Sequence, residues 1–386
     1  MGGNCQIDSD GLSGNIMKFT AILKYFVLWQ AAIIIMAIAA QYSSLPLRET
    51  YLGSGTQGYM EKPWFYSREN FDGMHYTYIA RRGYGYSQQA FFPLYPAIMR
   101  RIMTLPILNN AVLAGILVSV VSFLAGLYLF TKLALLDYSP TVIKWTVLAL
   151  LFFPTSFFFT SIYTEGLFFF LTIAAFYSAR TRRWLLAGIF GALASYTRFI
   201  GIFLLPALLI EWWQQGRRFR HFLPLLLIPL GLGIYMNYLN KTVGDPLAFF
   251  HVQVNFAQLR SEKLILLYQV FWRYVKMLFT VNRSDPLYLT IILELVTGVA
   301  FLATTVYSFI KHRLSYAVFN FLAYLTPTLT GSFTSLPRYV LLCFPSFLLI
   351  GELSSRSPLA RKIIFGTFAL AFIIFLSLFA RGYWVS

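Results

Sequence analysis

A polar segment between the first two long apolar runs contains the residue types best suited to chemistry. It holds Asp72 and His75, three residues apart in Phe-Asp-Gly-Met-His-Tyr. If a helix begins at Asp72, the two side chains share one face about one turn apart. The carboxylate could then accept a proton from a hydroxyl, and the imidazole could orient it or bind phosphate. The competing interpretation is structural: Asp72 as a helix N-cap beside an ordinary interfacial histidine.

Arginines in and beyond this segment are candidates for binding a phosphate. Arg81 and Arg82 follow His75 closely, and the pair Arg100 and Arg101 lies further on. Arg338 stands in Leu-Pro-Arg-Tyr, a short predicted loop between two apolar runs, where a fixed guanidinium could grip phosphate with two N–H groups. Each of these arginines could instead anchor the chain at the membrane edge, with its charged end among the headgroups.

Glu165 and Arg198 are charges in otherwise apolar surroundings. Arg198 interrupts a stretch at predicted membrane depth, where a charge is costly and marks a site or a partner. Glu165 opens an apolar run and could be that partner, although a glutamate at a helix N-terminus also complements the helix dipole. Asp245, in Gly-Asp-Pro, is most simply a turn residue. The sequence contains no Gly-rich phosphate loop, His-Glu-x-x-His motif or nucleophile elbow.

The composition places these residues in a membrane protein. Of 386 residues, 58% are hydrophobic and 12% charged, and the mean hydropathy is +0.65, which is outside the range of soluble domains. The net charge of +17 comes from basic clusters between apolar runs, as the positive-inside rule produces. Membrane lipids or a phosphate-bearing lipid substrate are therefore the expected partners, and nucleic acid is not. Cys5 and Cys343 alone cannot build a disulfide framework or a Cys-x-x-Cys metal site.

The elements that must position the candidate residues are apolar runs of membrane length. Because a span needs about 20 apolar residues, we predict about eleven spans, some of them tilted or short. They are 19–40, 111–136, a run from Val142 that breaks near Pro154, 166–179, 184–195, 200–213, 222–239, 287–310, 315–329, 340–350 and 363–379. Residues 264–279 should lie on the outer surface instead of crossing. Residues 1–17 are predicted to form a mobile tail, with no cleavable signal peptide, and residues 18–386 a single domain.

Positive charge alone sorts the loops onto two faces. The basic clusters that begin at Arg180, Arg217, Lys311 and Arg361 fall on the inner face. The unusual polar segments 41–110, 155–165, 240–263 and 331–339 all fall on the other face. This arrangement predicts an outer-face site and a long first outer loop with interfacial helices.

Several motifs, in order over residues 18–354, resemble the PIG-V family. They are Phe-Asp-Gly-Met-His-Tyr-Thr-Tyr-Ile-Ala-Arg-Arg-Gly-Tyr (71–84), Ala-Phe-Phe-Pro-Leu-Tyr-Pro (90–96), Phe-Pro-Thr-Ser with Tyr-Thr-Glu (153–165), Thr-Arg-Phe-Ile-Gly (197–201), Gly-Asp-Pro-Leu-Ala-Phe with Gln253 (244–253) and Leu-Pro-Arg-Tyr (336–339). Members of that family are GT-C type glycosyltransferases, and the eukaryotic ones add the second mannose to the glycosylphosphatidylinositol precursor. The resemblance implies an all-α polytopic bundle, a polyprenyl- or dolichyl-phosphate mannose donor, and Asp72 as the catalytic carboxylate.

The resulting expectation is an inverting transfer of a hexose, mannose by resemblance, to a hydroxyl of a lipid-linked or membrane-anchored glycan. We expect substrate contacts from His75, Arg81, Arg82, Glu165, Arg198, Asp245, Gln253 and Arg338. No metal or other cofactor is required, because a lipid phosphate is already a good leaving group. The chain is compact, with short loops, like prokaryotic relatives of this family. The expected location is the plasma membrane in a prokaryote or the endoplasmic reticulum membrane in a eukaryote. The alternatives are a lipid or sugar transporter or flippase, and a non-catalytic subunit of a glycosylation complex.

Overall fold

A computed structural model describes residues 19–255 and 264–385. The described chain is 79% helical and contains no strand. Its α-helices are α1 (Phe19–Ala39), α2 (Gly55–Glu61), α3 (Pro63–Tyr66), α4 (Asp72–Arg82), α5 (Leu94–Met103), α6 (Ala111–Ala134), α7 (Pro140–Phe152), α8 (Glu165–Arg180), α9 (Trp184–Thr197), α10 (Leu204–Gln214), α11 (Phe219–Phe222), α12 (Leu227–Val243), α13 (Ala248–His251), α14 (Leu267–Thr280), α15 (Leu287–Lys311), α16 (Leu314–Thr328), α17 (Leu336–Tyr339), α18 (Phe344–Arg356) and α19 (Pro358–Ala380). The predicted tail 1–17 and residues 256–263 of the predicted loop 240–263 lie outside the described residues.

Five of the described helices are long and apolar enough to cross a bilayer. They are Phe19–Tyr42, Ala111–Ala134, Phe219–Val243, Leu287–Lys311 and Pro358–Ala380, and a sixth would be the pair Leu336–Leu342 and Phe344–Arg356, which is bent by 83°. The chain is therefore an all-helical polytopic membrane protein. The count of about eleven spans stays a prediction, because the other apolar helices are shorter than the roughly 20 residues that a full crossing needs.

The shorter helices differ in how much of their surface is buried. α8 has 16 residues, nearly all of them buried, and it packs against α6, α9 and α10. A helix of that length rises only about 24 Å, which is less than the roughly 30 Å of a bilayer core. α14 is shorter still, and of its 14 residues only Val270 and Tyr274 are buried. That length and one-sided burial favour the prediction that α14 lies along a membrane surface and does not cross.

Polar breaks in α-helical structure lie together at one end of the bundle. The predicted break at 155–165 forms a short 3-10 helix, Ser156–Phe159, and is buried throughout. The predicted hinge at Arg198 also exists: α9 ends at Thr197, Arg198 is extended, and a 3-10 helix, Phe199–Phe203, leads into α10. At the opposite end of α8, Arg180 forms ion pairs with Asp137 and Glu211. α8 therefore connects the end that holds the breaks with the end that holds the basic clusters.

Candidate active site

The segment before α4 fixes the position of Asp72. Phe71 has a φ of 56°, a left-handed conformation that is strained for an aromatic residue. It is held there because Phe71 N donates to Tyr51 O at 3.2 Å, and because the Asn70 side chain donates to Phe379 O at 2.9 Å. The N-cap interpretation requires Asp72 to stand just before the helix. α4 begins at Asp72 itself, so Phe71 holds that position instead. The carboxylate of Asp72 makes an ion pair.

Two buried charges that the sequence motifs did not single out support this turn. The guanidinium of Arg68, 6% exposed, donates to Trp64 O at 3.2 Å, Thr160 O at 3.1 Å and the side chain of Gln30 at 3.1 Å. Glu69 accepts from Ser54 Oγ at 2.6 Å. These contacts tie the first loop to α1 and to the buried break before α8, so the loop is part of the bundle.

Four charged side chains meet at the turn. Arg338 Nη1 lies 2.6 Å from Asp72 Oδ2, and Arg338 Nε lies 3.4 Å from Glu165 Oε1. Arg198 Nη1 lies 2.7 Å from the same Glu165 oxygen. Glu165 is 1% exposed and Arg338 5% exposed, and buried charges persist only when paired. The predicted partnership of Glu165 and Arg198 is therefore present, and Arg338 links it to Asp72.

Aromatic rings hold the two guanidinium groups in place. Arg338 lies 5.0 Å from the ring centroid of Tyr163 and 5.3 Å from that of Tyr339. Arg198 lies 5.2 Å from the Tyr339 ring, so this tyrosine stands between the two cations. A guanidinium over an aromatic face gains a cation–π attraction and loses rotational freedom. The two cations are thus fixed in advance of any ligand.

The turn that carries Arg338 is fixed by a buried acid on α15. Ser335, with a φ of 67°, precedes α17 in a left-handed conformation. Its N–H donates to Glu294 Oε1 at 3.3 Å, and Tyr274 of α14 donates to the other Glu294 oxygen at 2.6 Å. Thr155 Oγ1 also donates to Pro337 O at 2.7 Å. An acid inside a membrane-length helix is costly, and here its contacts position the turn.

These charges line a cavity of about 460 Å³. Asp72, Glu165, Arg198 and Arg338 form its charged part. The remaining walls are aromatic, apolar or hydroxyl-bearing, and they include Tyr51, Phe71, Tyr76, Phe91, Phe92, Tyr163, Thr164, Phe199, Phe249, Thr326, Thr330, Thr334, Ser335, Tyr339 and Trp384. A mostly apolar cavity with a few convergent charged groups is the form that ligand sites usually take.

His75 lines the cavity beside Asp72. Its ring stacks on Phe91 with centroids 4.7 Å apart, and its Nδ1 lies 3.1 Å from Gln88 Nε2. Burial lowers the pKa of His75 more than the nearby carboxylate of Asp72 raises it. The imidazole is therefore neutral near pH 7 and can orient a ligand by hydrogen bonding, but it contributes no positive charge.

The remaining predicted substrate contacts divide into two groups. Gln253 lines the cavity. Arg81, Arg82 and Asp245 do not line it: both arginines are exposed at the end of α4, and Arg82 packs over the Tyr78 ring. The carboxylate of Asp245 accepts from Leu247 N at 2.9 Å and contacts His251 at 2.7 Å. These contacts agree with the turn role that the Gly-Asp-Pro motif suggested for Asp245.

Sequence reasoning missed several wall residues. Phe91 and Phe92 were not among the expected substrate contacts, yet both line the cavity. Trp384 was not considered, and nothing near it in the sequence marks it. Glu294 could have been found, because it is an acidic residue within a long apolar run. Among the described residues, no group of three or more His, Cys, Asp or Glu side chains is placed to hold a metal ion.

The described chain has apolar helices of membrane length and a cavity lined by ion-paired side chains. These features define a polytopic membrane protein with a preformed ligand-binding site. Comparison with known proteins narrows this class. The family model for mannosyltransferase (PIG-V) matches residues 14–220, more than half of the 386 residues. The chain belongs to the PIG-V mannosyltransferase family and is a glycosyltransferase. Searches of curated proteins and of solved structures gave no match.

Proposed function

We propose that the protein transfers mannose, with inversion, from a polyprenyl- or dolichyl-phosphate mannose to a hydroxyl of a lipid-linked or membrane-anchored glycan. The observation that carries the proposal is the ion pair of Asp72 with Arg338, 2.6 Å long, in a cavity that also holds Glu165 and Arg198. Such a site places a carboxylate that can act as a base close enough to two guanidinium groups for one bound substrate to contact all three. Membership in a mannosyltransferase family indicates that the transferred sugar is mannose.

In the proposed reaction the acceptor oxygen attacks the anomeric carbon of the donor. The bond between that carbon and the phosphate oxygen breaks, and its electron pair leaves with the lipid phosphate. The hydroxyl proton passes to Asp72 as general base. Attack from the face opposite the leaving group inverts the configuration, so no covalent intermediate with the enzyme is needed.

The arginines stabilise the charge that develops on the leaving phosphate. Before the donor binds, the two arginines and the two carboxylates of the site cancel. An incoming phosphate competes with Asp72 for Arg338, and this exchange frees the carboxylate to act as base. Positioned cations in a site of low dielectric act strongly on developing charge. Donor binding therefore prepares the base, and the acceptor reacts second.

Glu165 has a further role in binding the donor. Its Oε1 holds both arginines, while its Oε2 is buried and accepts no hydrogen bond from the described residues. Because that oxygen has almost no accessible surface, Glu165 acts on the donor by positioning the two arginines that bind its phosphate.

The site belongs to the outer face of the membrane in this proposal. α8 begins at the cavity with Glu165 and ends at Arg180 beside the basic clusters. Because basic clusters favour the cytoplasmic side, the cavity opens on the extracytoplasmic or lumenal side. The membrane is the plasma membrane in a prokaryotic cell and that of the endoplasmic reticulum in a eukaryotic one. The charge on the leaving phosphate is taken up by arginines, so the proposed reaction uses no metal or other cofactor.

Replacing Asp72 tests the proposal. The protein is reconstituted in liposomes with radiolabelled polyprenyl-phosphate mannose and an extracted glycolipid pool. Asp72→Asn should lower the transfer rate by about 10²–10⁴-fold, since the amide cannot accept the proton. Asp285→Asn, an exposed acid at the start of α15, is the matched control and should transfer normally. Full transfer by Asp72→Asn would refute the mechanism, whereas no transfer by the wild type from this donor to any acceptor would refute the proposed donor.

A further inference from the structure

An aromatic cluster at the cavity wall directly adjoins Asp72 in the sequence. Tyr51 stacks on Phe71 with ring centroids 4.9 Å apart and planes 21° apart. Trp384 meets the same Phe71 edge to face at 5.3 Å. Tyr51, Phe71 and Trp384 all line the cavity, and Phe71 directly precedes Asp72. Asp72 therefore directly follows a residue of the aromatic cluster in the sequence, and its carboxylate forms an ion pair with Arg338.

The position of Trp384 is fixed by the segment that carries it. Arg381 O accepts from Arg48 N at 3.0 Å, and Thr290 Oγ1 donates to Trp384 O at 2.9 Å. Tyr383 and Val385 are buried on either side, at 8% and 1% exposure, whereas Trp384 is only partly buried. A short irregular segment thus holds one large aromatic side chain at the cavity wall.

We propose that Tyr51 and Trp384, packed against the buried Phe71, form the acceptor subsite and bind the hexose ring whose hydroxyl is glycosylated. This assignment rests on the proposed transfer reaction. A hexose presents a face of C–H bonds with hydroxyls around its rim, and the electron-rich face of an aromatic ring attracts those C–H bonds. The general base must contact the acceptor hydroxyl, so the acceptor ring belongs beside Asp72. The donor phosphate requires Arg198 and Arg338, and the aromatic cluster that adjoins Asp72 in the sequence is assigned to the acceptor.

The test separates acceptor binding from donor binding. Octyl α-D-mannoside serves as the acceptor probe, and labelled polyprenyl-phosphate mannose as the donor, with KM measured for each. Trp384→Ala should raise the KM of the octyl mannoside about three- to tenfold and leave the donor KM within about twofold. Trp384→Phe should restore part of the affinity, and Trp213→Ala, an exposed tryptophan outside the cavity, should behave as the wild type. An unchanged acceptor KM in Trp384→Ala overturns the assignment, as does an equal rise in both KM values, which would place the donor there.

A binding measurement keeps the assignment testable independently of turnover. Octyl mannoside should change the tryptophan fluorescence of the wild type in a saturable way, and Trp384→Phe should lack that change. If transfer fails while this difference is seen, the proposed function is wrong and the sugar subsite stands. If transfer succeeds while the fluorescence response is the same in both proteins, the subsite is wrong and the proposed function stands.

Discussion

Replacing Arg338 is the most informative perturbation of the charge cluster. Its side chain is 6% exposed, and it contacts two carboxylates, Asp72 at 2.6 Å and Glu165 at 3.4 Å. Removing one partner of a buried ion pair costs about 3–5 kcal/mol. Because the Asp72 side chain is 24% exposed and Glu165 retains Arg198, we expect Arg338→Gln to destabilise the fold by about 3 kcal/mol, at the lower end of that range.

The effect on the reaction should be larger than the loss of stability implies. One positioned donor to a developing negative charge is worth about 10²–10³ in kcat, so Arg338→Gln should lose that much at saturating donor. Arg338→Lys keeps the charge, but one ammonium cannot match the two directions of the guanidinium. It should therefore recover only part of the rate. Arg283→Gln, an exposed arginine outside the cavity, is the matched control.

The assay combines transfer kinetics in liposomes with unfolding measurements on the same preparations. Working at a temperature where Arg338→Gln remains folded separates the loss of chemistry from the loss of stability. The reasoning is wrong if folded Arg338→Gln keeps kcat within about threefold of the wild type. It is also wrong if Arg338→Lys and Arg338→Gln lose the same amount, since charge would then have no effect.

Three further predictions follow from individual contacts. Glu294→Ala removes the acceptor of the hydrogen bonds from Ser335 N–H and Tyr274 Oη. It should therefore lower the free energy of unfolding by about 1–3 kcal/mol, and Glu294→Gln should lower it by less. An equal free energy of unfolding for Glu294→Ala and the wild type would contradict this prediction. Burial lowers the pKa of His75 from its ordinary 6.5, so the unfolded chain binds a proton that the folded protein resists, and stability should fall as the pH drops below about 6.5. Thermal unfolding at about pH 7.5 and about pH 5 should show a smaller drop for His75→Gln, and an identical drop would rule out this contribution. EDTA should leave the transfer rate unchanged, because arginines take up the charge of the leaving group; a loss that Mg²⁺ or Mn²⁺ restores would refute this.

Local sequence patterns predicted the features that depend on neighbouring residues. Apolar runs of membrane length predicted the long helices α1, α6, α15 and α19, because a bilayer imposes length and polarity on each span separately. The break at Arg198 was predictable from the residue itself, because a charge in an apolar run is costly unless it has a partner. Shorter runs were less informative, because helices such as α8 are covered by protein and need not match the thickness of the membrane.

The choice of Asp72 within its loop came from family motifs, and its surroundings came from the fold. Residue chemistry left a helix cap as the competing role. The structure places Asp72 as the first residue of α4 and pairs it with Arg338, 266 positions away in the sequence. No local periodicity encodes a contact of that separation, because it depends on how several helices pack. The same holds for Phe91, whose contact with His75 required the first loop to fold back on itself.

The sequence by itself determined the membrane class, the family and the segment that carries the acid. Only the tertiary structure decided that Glu165, Arg198 and Arg338 share one cavity with Asp72, that Arg81, Arg82 and Asp245 lie outside it, and that Trp384 forms part of its wall. The physical reason is that membrane insertion is dictated residue by residue, through the cost of burying polar groups in lipid. A site of paired charges depends on which helix ends come together, and that is decided by packing.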